Sequence, residues 1–263
     1  MLFKENINLL YREIGAFESD IIYIYSDLRG FSPFINQFVN KNKFLEVFIE
    51  PFLNKGITVI IPTFSYTTSG IFNTGITKTN LGALNNWILN HPKSERSEHP
   101  LFSYSAIGSK SREILINIGK SAFGYDCVFN RLLKFNTKFL HIGRPVSDGN
   151  TIIHFIEQNC GATYRYNKNF NVNVYRDKTY IGNNFSAFLR IRNDKNNFYG
   201  FDFKRSSKIL LDKELISSAN LSINLTDIQL YDAKNAFEIL SNEFYKDNLL
   251  FLKPGTKLPY LDL

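Results

Sequence analysis

Short apolar runs alternate along the first half of the chain with stretches of helical periodicity, and this alternation constrains the fold more than any other feature. The apolar runs lie at residues 21–25, 57–61 and 139–142. Helical patterns include residues 5–15, 44–54, 110–119 and, later in the chain, 227–251. Strands that alternate with helices build largely parallel sheets with both faces covered. We therefore predict an α/β fold with a central, mostly parallel sheet between helices on both faces.

Length and composition set the scale of this fold. Of the 263 residues, 44% are hydrophobic and 15% aromatic, which is enough for a large core. The absence of an internal repeat and of a Pro- or Gly-rich linker favours one domain over residues 1–263. The chain lacks both the roughly eighteen consecutive apolar residues of a membrane span and the pattern of a signal peptide. We expect a cytoplasmic protein without a membrane partner.

One segment joins a strand, a turn and a helix that carries a histidine. The apolar run at 139–142 ends at Gly143, and the polar side chains of Asp148, Asn150 and Thr151 predict the start of a helix. The helix is apolar almost all round, which indicates burial. His154 lies in its first turn, where the helix dipole favours a neutral ring, as a general base requires. The alternative is a core histidine whose nitrogens bond to the backbone.

Several other chemistries leave no trace in the sequence. There is no His-Glu-x-x-His zinc motif, no Walker phosphate loop and no Gly-x-Gly-x-x-Gly fingerprint. The two cysteines, Cys127 and Cys160, are not spaced for a disulfide framework or a zinc site, and no metal is predicted. A cysteine nucleophile would need an activating basic neighbour or helix N-terminus, so both are expected to be inert thiols.

Several blocks of the chain, in order and in spacing, resemble the aminoglycoside 3-N-acetyltransferase family. The blocks are IIYIYSDLRG at 21–30, GITVIIPTFS at 56–65, LGAL at 81–84, SEHPLFSYSAIG at 97–108, GYDCVFNRL at 124–132, and the Gly-to-Glu segment at 143–157. The resemblance covers about residues 5–160 and fades beyond Ala162. It implies that family's α/β fold and the transfer of acetyl from acetyl-CoA to an amino group of a sugar.

The resemblance also implies a catalytic base. In the family, the histidine of an Asn-Thr-x-x-His segment has this role, and the matching residue here is His154. Its acidic partner lies downstream, where the match is poorest. Asp202 is favoured because two aromatic residues flank it, and Asp194 is the second candidate. Glu157 and Asp148 are closer in sequence. Glu157 could reach His154 on the same helix face but is expected to make a helix-surface contact.

The acetyl-CoA site is inferred on the same resemblance. Its candidate contacts are Ser26, Arg29, Arg96 and Ser97, since Ser and Arg at strand ends often bind phosphate groups. A serine at a strand end can equally cap a turn, and an arginine can be a solvated surface charge. The family normally has a histidine where this chain has Tyr25.

Charge bears on the acceptor. The formal net charge is +7, and residues 163–213 carry eleven Lys and Arg against four Asp. Because the resemblance fails in this segment, we expect it to bind the acceptor. Aminoglycosides are polycations that call for carboxylates, whereas a basic, aromatic-rich segment suits phosphates and a nucleobase. This favours a nucleotide-linked amino-dideoxy sugar for surface polysaccharide (lipopolysaccharide or O-antigen) biosynthesis. The alternative is an aminoglycoside antibiotic, because an AT-rich genome also enriches Lys and Asn.

A different class of function stays open at this point. A non-catalytic sugar- or nucleotide-binding protein would need no neutral base at His154. Nucleic-acid binding is not expected, because the basic segment contains no recognition motif. The sequence leaves the oligomeric state undetermined.

Overall fold

A seven-stranded sheet runs through the centre of the protein, in a computed structural model that describes residues 3–192, 199–220 and 227–258. The helices are α1 (Phe3–Glu13), α2 (Lys41–Glu46), α3 (Glu50–Leu53), α4 (Ala83–Leu89), α5 (Ser111–Leu115), α6 (Val128–Leu132), α7 (Ile152–Cys160), α8 (Phe203–Asp212) and α9 (Ala233–Lys246). The strands are β1 (Ile21–Ser26), β2 (Thr58–Pro62), β3 (Gly70–Asn73), β4 (Glu95–Arg96), β5 (Tyr104–Ile107), β6 (Thr137–Ile142), β7 (Arg165–Phe170), β8 (Val172–Arg176), β9 (Thr179–Gly182), β10 (Phe185–Arg190), β11 (Ser217–Asn220) and β12 (Asp227–Asp232). Two 3-10 helices cover Arg29–Gln37 and Val146–Asp148.

The central sheet has the order β11-β12-β6-β1-β2-β5-β4. Its three middle strands, β6, β1 and β2, are the three apolar runs of the sequence, and they pair in parallel. They are buried on both faces along most of their length, which is why apolar side chains predominate in them.

The α/β prediction is confirmed, but the sheet is mixed rather than mostly parallel. Strands β5 and β12 pair antiparallel to β2 and β6, and the edge strands β4 and β11 also pair antiparallel to their neighbours. Short connections join β4 to β5 and β11 to β12, and a short connection allows only antiparallel pairing. These outer strands are short or partly polar, so they carry no clear apolar run.

Two hydrophobic layers cover the sheet. On one face, α1, α2 and α3 contribute a cluster rich in phenylalanine that includes Phe3, Phe44, Phe48 and Phe52. On the other face, α6, α7 and α9 pack with the two smaller sheets. Within the described ranges, no helix is both long and apolar enough to cross a membrane.

The described part of the basic segment at 163–213 contributes β7 to β10 of the two smaller sheets and helix α8. Strand β7 pairs antiparallel with β10, and β8 lies between β3 and β9. Helix α8 follows and contacts the 3-10 helix at Val146–Asp148. The stretch at 227–251, expected to be helical throughout, begins instead as strand β12 and becomes helix α9 where the Asp232 side chain accepts a hydrogen bond from the backbone N–H of Asn235.

The strand-turn-helix segment is formed as predicted. Strand β6 ends at Ile142, the chain turns at Gly143 with φ +65°, and α7 begins after Asn150 and Thr151. The Asn150 side chain accepts a hydrogen bond from the backbone N–H of Ile152. This arrangement places the first turn of α7 beside the ends of β1 and β6.

Gly143 and Gly161 provide a matched test of this turn. Both have positive φ, but a Cβ on Gly143 would lie 2.1 Å from the carbonyl oxygen of Asp27, whereas Gly161 has open space around it. We expect Gly161→Ala to lower the free energy of unfolding by about 1 to 2 kcal/mol through backbone strain alone. Gly143→Ala should lower the free energy of unfolding by about 1 to 3 kcal/mol more than Gly161→Ala does, because the neighbouring backbone must move. Urea unfolding of both variants measures the difference, and equal losses would contradict the close approach.

Candidate active site

Two neighbouring cavities open where β1, β6 and the N-terminus of α7 meet. The larger, of about 710 Å³, lies beside the 3-10 helix that follows β1. The smaller, of about 300 Å³, contains His154. Ser26, Gly82 and Arg144 line both of them, so the two cavities form one continuous cleft. A cleft of this form can bring two substrates together at the histidine.

His154 lies in the first turn of α7 with a side chain that is 20% exposed. Its Nδ1 atom is 3.1 Å from Oε2 of Glu157. The rings of Phe123 and Phe201 pack beside it, with centroids 5.5 and 4.9 Å from the imidazole. With the proton on Nδ1, the ring donates to this carboxylate, and Nε2 is then the ring nitrogen that can accept a proton.

Glu157 is completely buried, in contrast to the helix-surface contact expected from the sequence. Its Oε1 accepts a hydrogen bond of 2.8 Å from the hydroxyl of Tyr164, and its Oε2 forms an ion pair of 2.6 Å with Arg165. Burial alone would raise the pKa of this carboxyl, but Arg165 and His154 outweigh burial and hold the pKa below its usual range. The carboxylate is therefore charged and fixed in one orientation.

The imidazole of His154 is held in its neutral form. Burial lowers its pKa below the usual value, Glu157 opposes this change, and the nearby charges of Arg165 and Arg190 add to it. The base form of the ring therefore predominates at neutral pH. A neutral imidazole that is oriented by a carboxylate on one nitrogen is suited to take a proton on the other.

Neither Asp202 nor Asp148 forms a hydrogen bond or an ion pair with His154. Asp202, the favoured partner, caps α8 instead, with its side chain accepting hydrogen bonds from the backbone N–H groups of Lys204 and Arg205. Aspartate at this position satisfies the free N–H groups of a helix start, which explains its place between two aromatic residues. Asp194 lies outside the described residues.

Of the four residues suggested for acetyl-CoA, two lie in the cleft. Ser26 and Arg29 line the larger cavity, where the exposed guanidinium of Arg29 pairs with Asp27. Arg96 does not line the cleft. It is buried over the ring of Phe72, and its guanidinium donates to backbone carbonyls of the loop that follows β3.

Ser97 is also a structural residue. It is completely buried, and its hydroxyl accepts a hydrogen bond of 2.9 Å from the backbone N–H of Tyr104. Strand β4 forms the far edge of the sheet, and the side chains of Arg96, at its end, and Ser97, just after it, point into the protein rather than into the cleft. Sequence spacing alone does not report that orientation.

Two cationic residues of the cleft were missed in the sequence. Arg144 lines both cavities, and its guanidinium donates a hydrogen bond of 2.7 Å to the carbonyl oxygen of Asp148. Its position in the Gly-Arg-Pro turn after β6 could have indicated a phosphate contact. Lys41, at the start of α2, lines the larger cavity, and nothing in its local sequence distinguishes it from other lysines.

Tyr25 stands where the resembled family normally has histidine, and it supports the first turn of α7. Its hydroxyl accepts a hydrogen bond of 3.1 Å from the backbone N–H of Thr151 and donates one of 3.4 Å to Asn150. Burial raises the pKa of Tyr25 to about 12, so the phenol stays protonated. The tyrosine also stacks on His141, with 4.4 Å between ring centroids.

The remaining candidates have structural roles. His99 accepts hydrogen bonds from the backbone N–H groups of its own turn and contacts the carbonyl of Ser186. It is buried, and burial lowers its pKa to about 4. Burial raises the pKa of Cys127 to about 12, which makes it a poor nucleophile. The lining of the cleft includes neither Cys127 nor Cys160. Among the residues described, no group of three or more His, Cys, Asp or Glu side chains could hold a metal ion.

Comparison with known proteins agrees with this geometry. The family described as aminoglycoside 3-N-acetyltransferase matches residues 55–244, well over half of the chain. No curated protein matches the chain at a significant level of similarity.

Solved structures share the fold at low sequence identity. AAC-VIa with bound sisomicin has a TM-score of 0.75 at 16% identity, over 92% of this chain and 97% of that chain. The AAC(3)-IVa apoenzyme has a TM-score of 0.71 at 16% identity, over 96% and 92%. The binary complex of AAC-IIIb with CoASH has a TM-score of 0.71 at 14% identity, over 96% and 98%.

The family match extends from just after α3 to the last turn of α9, and it therefore includes His154, Glu157 and the cleft residues that follow α3, but not those on β1, on the 3-10 helix after it or on α2. The chain belongs to the aminoglycoside 3-N-acetyltransferase family and is an N-acetyltransferase that uses acetyl-CoA.

Proposed function

We propose that His154 is the general base of this N-acetyltransferase and that Glu157 orients it. The observation that carries the proposal is the contact between Nδ1 of His154 and the buried carboxylate, in a cavity that joins a second one. His154 Nε2 accepts a proton from the acceptor amine as its nitrogen attacks the thioester carbonyl. The C–N bond forms, the C–S bond breaks, and the imidazolium returns the proton to the leaving thiolate. Glu157 stabilises the imidazolium while it exists.

The larger cavity is the proposed site of acetyl-CoA. Its lining includes the cationic side chains of Lys41, Arg29 and Arg144, which suit the phosphates of the co-substrate. Ser26 and Arg144 stand where this cavity meets the smaller one, so an acyl group that passes between them arrives at His154. No acyl-enzyme is required, since neither cysteine lines the cleft.

For the acceptor, we propose an aminoglycoside in the smaller cavity. Support comes from the family match and from neighbours of the same fold whose structures hold sisomicin or gentamicin. The aromatic side chains of Phe64, Tyr66, Phe102 and Phe203 line this cavity and offer flat surfaces to the apolar faces of sugar rings. The part at 163–213, through β7 and α8, is proposed to complete the acceptor side.

A nucleotide-linked amino sugar is the second candidate, and one observation favours it. The lining of the smaller cavity contains Arg144 and, in the described part of the chain, no carboxylate. A polycation gains little from such a wall, whereas a phosphate gains a charge-assisted hydrogen bond. The surplus of Lys and Arg over Asp at 163–213 is also positive charge, which likewise favours an acceptor that carries phosphate.

Replacement of the catalytic pair tests the mechanism. We expect His154→Gln to reduce kcat by about 10²- to 10⁴-fold, because the amine loses its base, while acetyl-CoA still binds. Glu157→Gln should reduce kcat by a smaller factor, because the base remains but is no longer oriented by a charged group. Stopped-time assays of CoA thiol release measure both. Cys160→Ser on the same helix is the matched control and should keep full turnover. Unchanged turnover in His154→Gln would refute the proposed mechanism.

A side-by-side acceptor assay separates the two substrate classes. Purified protein with acetyl-CoA is expected to release thiol with aminoglycosides, and mass spectrometry of the product should show one added acetyl group. Turnover with nucleotide-linked amino-dideoxy sugars alone would overturn this assignment and support the second candidate. In that case Arg144→Gln should raise KM for the nucleotide sugar more than for its dephosphorylated amino sugar, because Arg144 would bind phosphate.

A further inference from the structure

We infer that Arg165 is a positioning residue of the active site: it fixes Glu157 and keeps that carboxylate from holding His154 in its protonated form. The inference rests on the proposed function, since it concerns how the proposed base is prepared. Arg165 belongs to β7, in the segment where the sequence shows no clear family pattern, and it reaches the cleft only through the tertiary fold.

One guanidinium nitrogen contacts both members of the pair. Nη2 of Arg165 lies 2.6 Å from Oε2 of Glu157 and 3.1 Å from Nδ1 of His154. Nη1 donates a hydrogen bond of 2.5 Å to the carbonyl oxygen of Phe188 on β10. The Arg165 side chain is only 5% exposed, so water does not screen these contacts. The planar guanidinium therefore links α7 to the β7-β10 sheet at the reacting group.

The ring of Phe201 completes the enclosure. It lies 4.9 Å from the imidazole of His154, and the guanidinium of Arg165 sits over it at 5.4 Å from the centroid. Arg190, from β10, covers the same ring at 3.8 Å. Two guanidinium groups therefore lie against one aromatic ring beside the pair, an arrangement that guanidinium stacking favours.

The charges that face His154 come from three elements. Glu157 lies on α7 itself, Arg165 on β7 and Arg190 on β10, while Arg144 lines the same cavity at its mouth. The hydroxyl of Tyr164 donates a hydrogen bond to Oε1 of Glu157, the carboxylate oxygen that does not face His154, and holds it in place. Among these groups, Glu157 is the single anion against three cations.

The proposed mechanism needs a His154 ring that is oriented by a carboxylate and is nevertheless neutral. A buried carboxylate beside an imidazole would by itself favour the imidazolium, which cannot accept a proton from the acceptor. Arg165 compensates the negative charge of Glu157 without removing its oxygen from Nδ1 of His154. The ring therefore keeps its orientation and remains neutral until it takes the proton of the amine.

Three variants test the inference through the pH dependence of kcat/KM. Arg165→Gln should move the acid limb to higher pH by about one unit, because an unshielded Glu157 stabilises the imidazolium. It should also lower kcat on the plateau about tenfold, since the carboxylate is no longer fixed. Arg165→Lys retains the charge but loses the planar fork, so its acid limb should stay in place while kcat falls. Arg112→Gln, which removes an exposed arginine of α5 that pairs with Glu95 outside the cleft, is the control and should match the wild type.

A second measurement does not depend on turnover. NMR titration of histidine-labelled protein, with the His154 signal assigned by its loss in His154→Gln, should show the same upward shift in Arg165→Gln. A titration and an acid limb that stay at the wild-type pH in this variant would overturn the inference. If Arg165→Gln fails to fold, an acid limb displaced in Arg165→Lys would overturn it instead. Full activity of His154→Gln would refute the proposed function, and the titration would still report the effect of Arg165 on the ring.

Discussion

The buried carboxylate of Glu157 is the group on which the rest of the active site depends. Moving a charge from water into the interior is costly unless partners replace its hydration. Here Tyr164, Arg165 and His154 supply them, from the chain that follows α7 and from α7 itself. The same contacts attach the first turns of α7 to the β7-β10 sheet. The ionised carboxylate therefore links the hydrophobic core to the cleft and to the proposed acceptor side.

The fold follows from the sequence where apolar runs are long and buried on both faces. Strands β1, β2 and β6 satisfy this condition, and they form the parallel centre of the sheet. The outer strands are short or half-exposed, and their direction depends on connections whose geometry no periodicity reports. Local signals also located the start of α7 correctly, because the capping chemistry of Asn150 is local.

The candidate site, like the fold, could be predicted from the sequence only in part. His154 could be proposed from its own helix and from family resemblance. Asp202 was chosen over Glu157 because flanking aromatics suggested burial, yet those residues mark a helix start with its N-cap. Burial of Glu157 depends on Tyr164 and Arg165, which lie seven and eight residues away along the chain but pack against it in space. Arg96 shows the converse: in the interior, its guanidinium donates hydrogen bonds to backbone carbonyls and to the hydroxyl of Ser103.

The spacing of the catalytic pair has a consequence for how such a protein can diverge. His154 and Glu157 lie three residues apart on α7, so one helical turn sets their separation without any long-range alignment of strands. A reactive unit that is built within a single helix tolerates wide drift in its surroundings. On the proposed mechanism, the walls that receive the acceptor can therefore change without moving the base relative to its carboxylate.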